Sequence, residues 1–190
     1  FINVSPAVLA DARFPERLDE QVRACRGISP DRLVIEITER AEHGSVERLA
    51  RRVLELKNLG YQIAVDDVGA GVSGLNRLML LRPHWLKLDR ELTTRLDEDR
   101  YKQNLIQFLV HFANLSGVRL IAEGVERREE LATLIDSGIR HSQGYLLARP
   151  ARDFPRVDVE VGGWARRRWS QAMMHGRSDP RRVELSTLCQ

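Results

Sequence analysis

The sequence predicts an α/β fold built on a parallel sheet, either doubly wound or closed as a barrel. Three observations predict it. Short β-rich runs alternate with longer segments of helical period, the connections are brief, and the β-runs carry a polar residue near their C-terminal ends. A chain of 190 residues is long enough for one sizeable core plus a tail.

Taken in order, β-strands are expected at 1–5 (FINVS), 32–38 (RLVIEIT), 61–66 (YQIAVD), 84–89 (HWLKLD), 118–123 (VRLIAE) and 141–147 (HSQGYLL). A modest helix is expected at 14–26, and a strong one at 45–59. The strong one has Ser45 as N-cap, apolar Val46, Leu49, Val53, Leu54 and Leu56, and Gly60 past its end. A short helix at 73–81 stops before Pro83. A long amphipathic helix at 99–116 carries Leu105, Phe108, Leu109 and Phe112 and closes at Gly117, and another at 127–137 closes at Gly138.

Composition narrows the class of protein. Hydrophobic residues at 43% and charged residues at 30% describe an ordinary globular chain. A formal charge of +3 does not by itself mark a nucleic-acid binder. No apolar stretch approaches the roughly 20 residues of a membrane span, and no signal peptide is recognisable. Cys25 and Cys189 form neither a disulfide framework nor a zinc pattern, which fits reduced thiols. The chain opens on Phe1 already inside a strand-like run, so we expect a piece of something longer.

Side chains alternate across a strand, and that decides where the polar residues point. In LVIEIT, Glu36 shares a face with Val34 and Thr38; in IAVDD, Asp66 shares one with Ala64; in WLKLD, Lys87 shares one with Asp89; in RLIAE, Glu123 shares one with Ile121. Asn3 and Gln143 fit the same layer. Asp67 joins Asp66 there only if the strand ends between them, which the glycines at 69, 71 and 74 permit. Parallel α/β folds place active sites at the C-terminal ends of their strands, where this layer falls.

Several carboxylates with an asparagine and no histidine make a hard, oxygen-rich set suited to Mg2+ or Mn2+ rather than zinc or copper. Two adjacent carboxylates repel unless a cation sits between them, and a shared one can bridge two cations. Two cations about 3.5–4 Å apart are the usual device for in-line phosphoryl chemistry. Lys87 could position water or a phosphate oxygen, or simply neutralise Asp89 or Glu36. The residues thus point to a divalent-metal phosphohydrolase.

Together the motifs resemble the EAL domain, the bacterial phosphodiesterase that opens cyclic di-GMP. The matching stretches are NVSP at 3–6, VIEITE at 34–39, VDDVGAGVSGL at 65–75, LKLD at 86–89, IAEGVE at 121–126 and QGYLLARP at 143–150. They stand in the family's order and cover Phe1 to Pro150. The resemblance implies a modified TIM-type (β/α) barrel, incomplete here because its first two strands, with the namesake Glu-Ala-Leu motif, would lie upstream of Asn3. It further implies that Asn3, Glu36 and Asp66 hold one Mg2+ or Mn2+ ion, and Asp66, Asp67 and Glu123 a second. Lys87 would hold the attacking water, with Glu126 in the catalytic region. Asp89, Gln143 and Pro150 would line the substrate pocket, and Glu39 would brace the loop after the aspartates. The implied reaction is hydrolysis of cyclic di-GMP to linear pGpG, with this fragment alone inactive.

One stretch departs from the family. Val68, Ala70 and Val72 stand where a phenylalanine, a threonine and an aromatic residue are usual, and Ala70 offers no hydroxyl. That motivates an alternative: a degenerate, non-catalytic EAL domain that senses cyclic di-GMP or contacts another protein. In either case the resemblance implies a homodimer through the EAL domain and an upstream sensory or GGDEF-type domain. It implies no DNA partner. It also implies a cytoplasmic location, any membrane anchoring being left to upstream segments.

Residues 1–150 are therefore expected to form a partial EAL domain and 151–190 a basic C-terminal extension. Within it GGWARRRWSQAMMHGRSDPRR, 162–182, mixes arginine with two tryptophans. Segment 164–174 reads best as a short amphipathic helix packing on its own domain through Trp164 and Trp169. Nucleic-acid binding by the tail is the weaker reading.

Overall fold

A computed structural model of the chain describes residues 1–37, 46–68, 74–153 and 155–174; of Pro6, Val46, Asp67, Val68 and 74–77 it describes the backbone alone. The expected Ser45 cap and the loop glycines at 69 and 71 lie outside the described residues. The chain divides within its fourth strand into two compact units, Phe1–Leu86 and Lys87 onward.

The first unit opens with β1 (Ile2–Val4) and two helices, α1 (Pro6–Ala10) and α2 (Phe14–Ala24). Helix α1 was not expected from periodicity, because five residues are too few to show one. Its start is local chemistry: Ser5 Oγ accepts the Val8 N–H at 3.4 Å, and Pro6 occupies the first turn where no donor is needed. A 3-10 turn at Pro30–Arg32 leads into β2 (Val34–Ile37), followed by α3 (Val46–Asn58), β3 (Gln62–Val68) and α4 (Gly74–Leu81).

Within this unit the strands run in the order β1-β2-β3, all parallel. The register pairs Asn3 with Glu36, and Glu36 with Ala64. Ile35, Ile37, Ile63 and Val65 are buried from the sheet, and Val53 and Leu56 from α3. At roughly 1.5–3 kcal/mol for each fully buried aliphatic side chain, this packing holds the strand ends in place. Lys57 of α3 caps α4, its Nζ donating to the Leu81 and Arg82 carbonyls at 2.7 and 2.6 Å.

The second unit carries the rest of β4 (Trp85–Leu88), then α5 (Arg90–Thr93), a 3-10 turn at Leu96–Glu98, α6 (Arg100–Ser116), β5 (Arg119–Ala122), α7 (Arg128–Asp136), β6 (His141–Ser142) and α8 (Val159–Met174). Its strand order is β4-β5-β6, with β5 and β6 parallel. Asp99 caps α6 by accepting the Tyr101 and Lys102 N–H groups at 2.9 and 3.2 Å, and Gly117 ends it at φ 68°.

Three elements differ from the sequence expectation. The face α6 buries is Ile106, Leu109 and Ala113, while Phe108 is exposed; with apolar residues on two sides, periodicity alone does not choose the inner one. Strand β6 covers Ser142 and no further, because Gly144 turns the chain. Helix α8 begins at Val159, five residues before the segment expected. It packs on α7 through buried Ala165 and Trp169, with Arg168 bonded to Asp136 and Arg128 to Glu160. Among the described residues no helix is long and apolar enough to cross a membrane.

Candidate metal and phosphodiester site

In the first unit, Asn3, Glu36 and Asp66 stand on neighbouring parallel strands. The register puts Asn3 beside Glu36 and Glu36 beside Ala64, so Asp66, two residues on, shares that face one step nearer the strand's C-terminal end. Glu36 is 3% exposed and Asp66 9%, whereas Asn3 is exposed on the edge strand of the unit rather than enclosed. Strand β3 runs through Asp67 to Val68, so it does not end between the two aspartates as the sequence reading required. The side chain of Asp67, and all of Glu39, lie outside the described residues.

In the second unit, a tight polar group forms at the ends of β4, β5 and β6. Lys87 is 1% exposed, and its Nζ lies 2.5 Å from Glu123 Oε1. Gln143 Nε2 donates to the same oxygen at 2.7 Å. The Glu123 N–H donates to the Leu88 carbonyl at 3.1 Å, and the Gln143 N–H to the Ala122 carbonyl at 2.8 Å, so both side chains issue from strand-end backbone. Glu126 lies outside this group, exposed, and pairs with Arg90 at 3.0 Å.

Asp89 is already engaged: its Oδ1 accepts the Glu91 N–H at 2.7 Å and caps α5. Pro150 is exposed, one residue after Arg149, whose guanidinium lies 4.7 Å from the Tyr145 ring centroid. Two glycines shape the connections. Gly124 adopts φ 64° against the Arg90 stem, and a Cβ on Gly144 would lie 2.2 Å from the Val125 carbonyl oxygen.

Sequence reasoning missed Arg90 and Thr93. Thr93 Oγ1 donates to the Glu123 carbonyl, a bond between residues 30 apart that no local pattern announces.

The donor set of the first unit, one amide and two carboxylates, fits a hard divalent cation in chemical type. Among the described residues no three His, Cys, Asp or Glu side chains form a metal-holding group by themselves. Asp67, whose side chain is not described, and the amide of Asn3 are the remaining oxygen donors of the expected set.

The EAL domain family model matches residues 1–150. The chain is 35% identical over 157 residues to the probable cyclic di-GMP phosphodiesterase PdeD of Escherichia coli, covering 82% of this chain and 29% of that protein. It thus spans under a third of that relative's length. BlrP1 of Klebsiella pneumoniae, solved with manganese and cyclic di-GMP, is 32% identical with a TM-score of 0.74, over 79% of this chain and 38% of that one. The Bacillus subtilis YkuI protein, solved with cyclic di-GMP and calcium, is 30% identical with a TM-score of 0.76, over 91% of this chain and 43% of that one. The α/β elements described above are consistent with an incomplete modified TIM barrel. Motif order, strand-end polar groups and these likenesses agree, and the chain belongs to the EAL domain family.

Proposed function

We propose that this domain hydrolyses one phosphodiester bond of cyclic di-GMP, giving linear pGpG, as part of a larger signalling protein. The observation that carries the reading is Glu123, a strand-end carboxylate held by buried Lys87 and by Gln143. Asn3, Glu36 and Asp66 would hold one divalent ion, Mg2+ or Mn2+, and Asp66, Asp67 and Glu123 a second. When bound, such ions lower the pKa of coordinated water and stabilise charge on the attacking and leaving oxygens. The chain's own part is to fix these oxygens on rigid strand ends. The Lys87 ammonium, held beside Glu123, would orient the attacking water. We assign Gln143, Asp89 and Pro150 to the substrate pocket, and Glu39 to bracing the loop after the aspartates.

We place the reaction in the cytoplasm, in a homodimer formed through the EAL domain, with a sensory or GGDEF-type domain upstream. Exposed apolar side chains support a second copy as partner: Met79 and Leu80 on α4, and Tyr101, Phe108 and Leu115 at seven-residue spacing on α6. Incubating the full-length protein, with the upstream strands that complete the barrel, with cyclic di-GMP and Mg2+ or Mn2+ should release pGpG, read by chromatography. Absence of turnover with both ions overturns the proposal. Val68, Ala70 and Val72 favour a second reading, a non-catalytic sensor; nucleotide binding that survives a chelator, without hydrolysis, would select it.

A further inference from the structure

We propose that Thr93 is a positioning residue for this reaction: its hydroxyl fixes the peptide that follows Glu123 and thereby aims the Glu123 carboxylate. The inference rests on the assignment of Glu123 to the metal centre made above.

Strand β4 ends at Leu88, whose carbonyl accepts the Glu123 N–H. Beyond that point the chain leaves the ladder, turning at Asp89 into α5. Toward β6 the ladder runs through the neighbouring residues: the Gln143 N–H goes to the Ala122 carbonyl at 2.8 Å and the Val125 N–H to the Gln143 carbonyl at 3.0 Å. Thr93 closes α5 with a side chain 0% exposed, and its Oγ1 donates to the Glu123 carbonyl. The same hydroxyl lies 3.0 Å from the Arg90 carbonyl, the usual acceptor within a helix. That carbonyl also receives the Thr94 N–H at 2.8 Å, and the Glu123 carbonyl is the nearer of the two acceptors of the Thr93 hydroxyl.

The bond matters because the next residue is conformationally special. Gly124 takes φ 64°, with the Arg90 stem packed where a Cβ would lie 2.4 Å from Cγ. Arg90 also pairs with Glu126. One short helix therefore grips the loop at both ends, Thr93 at Glu123 and Arg90 at Glu126. Lys87 and Gln143 hold the carboxylate itself, and Thr93 holds the backbone from which it projects. Groups that orient a ligand without touching the ion commonly change metal affinity or activity by roughly 10- to 100-fold when removed.

The test is Thr93→Val in the full-length protein, which keeps shape and branching and removes only the donor. Mn2+ affinity by calorimetry and steady-state hydrolysis of cyclic di-GMP are measured beside Glu123→Gln and Thr93→Ser. We expect Thr93→Val to weaken Mn2+ binding and lower kcat by about tenfold or more, with KM nearly unchanged, and Thr93→Ser to restore both. Wild-type affinity and kcat in Thr93→Val, with both lost in Glu123→Gln, would overturn the positioning role alone. Unchanged binding and turnover in Glu123→Gln would overturn the assignment of Glu123, and this inference with it. Should Thr93→Val fail to fold, Thr93→Ala and Thr93→Ser differ by the hydroxyl only; equal Mn2+ affinities in that pair overturn the proposal.

Discussion

The Lys87 ammonium lies 2.5 Å from Glu123 Oε1, the lysine side chain 2% exposed and the glutamate side chain 16% exposed. Burying either charge alone is costly, so removing one partner should hurt more than removing both. Lys87→Met should destabilise the protein by about 3–5 kcal/mol, read from denaturant unfolding, and the double variant with Glu123→Met should recover a large part of that loss. A double variant no more stable than Lys87→Met would mean the two charges do not depend on each other.

The close approach at Gly144 gives a second prediction. An added methyl there meets the Val125 backbone at 2.2 Å from oxygen and 2.3 Å from nitrogen, and backbone cannot swing aside as a side chain can. Gly144→Ala should cost about 1–3 kcal/mol or more and shift the adjacent Gln143 away from Glu123. A melting temperature and a hydrolysis rate both equal to wild type would contradict it.

Much of this architecture was legible in the sequence because it depends on local patterns. The six strands lie within one or two residues of their expected starts, and Gly60, Gly117 and Gly138 each follow a helix with positive φ as anticipated. Glu36, Lys87 and Glu123 could be placed at strand ends by counting alternation. What escaped depends on tertiary partners. Leu54 belongs to the apolar pattern of α3 yet is exposed, and Phe108 likewise on α6, since a helix with a wide apolar surface does not declare its inner side. That the Asp89 carboxylate also caps α5 was not legible, because the helix is too short to leave a periodic signal. Thr93 acts across 30 residues, where sequence spacing carries no information.

The packing of α8 can be tested through its tryptophan. Trp169 is buried, and the Arg140 guanidinium lies 6.0 Å from its ring centroid. Trp169→Ala should destabilise by roughly 3–5 kcal/mol, whereas Arg167→Ala, at an exposed position of the same helix, should stay within about 0.5 kcal/mol. Urea midpoints at unchanged m-value supply the comparison. Equal effects of the two substitutions would mean that α8 is not packed as described.

Binding of a divalent ion to the native state alone must raise stability, and the size of the rise depends on the ligands rather than on total acidity. At a free Mn2+ concentration 100 times the dissociation constant, linkage gives about 2.7 kcal/mol of added stability. Glu36→Gln keeps the size of a side chain 3% exposed but removes the charge an ion would need, so most of the Mn2+-dependent rise in melting temperature should vanish. Glu20→Gln removes the same charge from an exposed position on α2 and should leave the rise intact. EDTA should return the wild type to its metal-free melting temperature. If Glu36→Gln and Glu20→Gln respond to Mn2+ alike, the ion is held by something other than the β2 strand end, and the phosphodiesterase reading loses its metal centre.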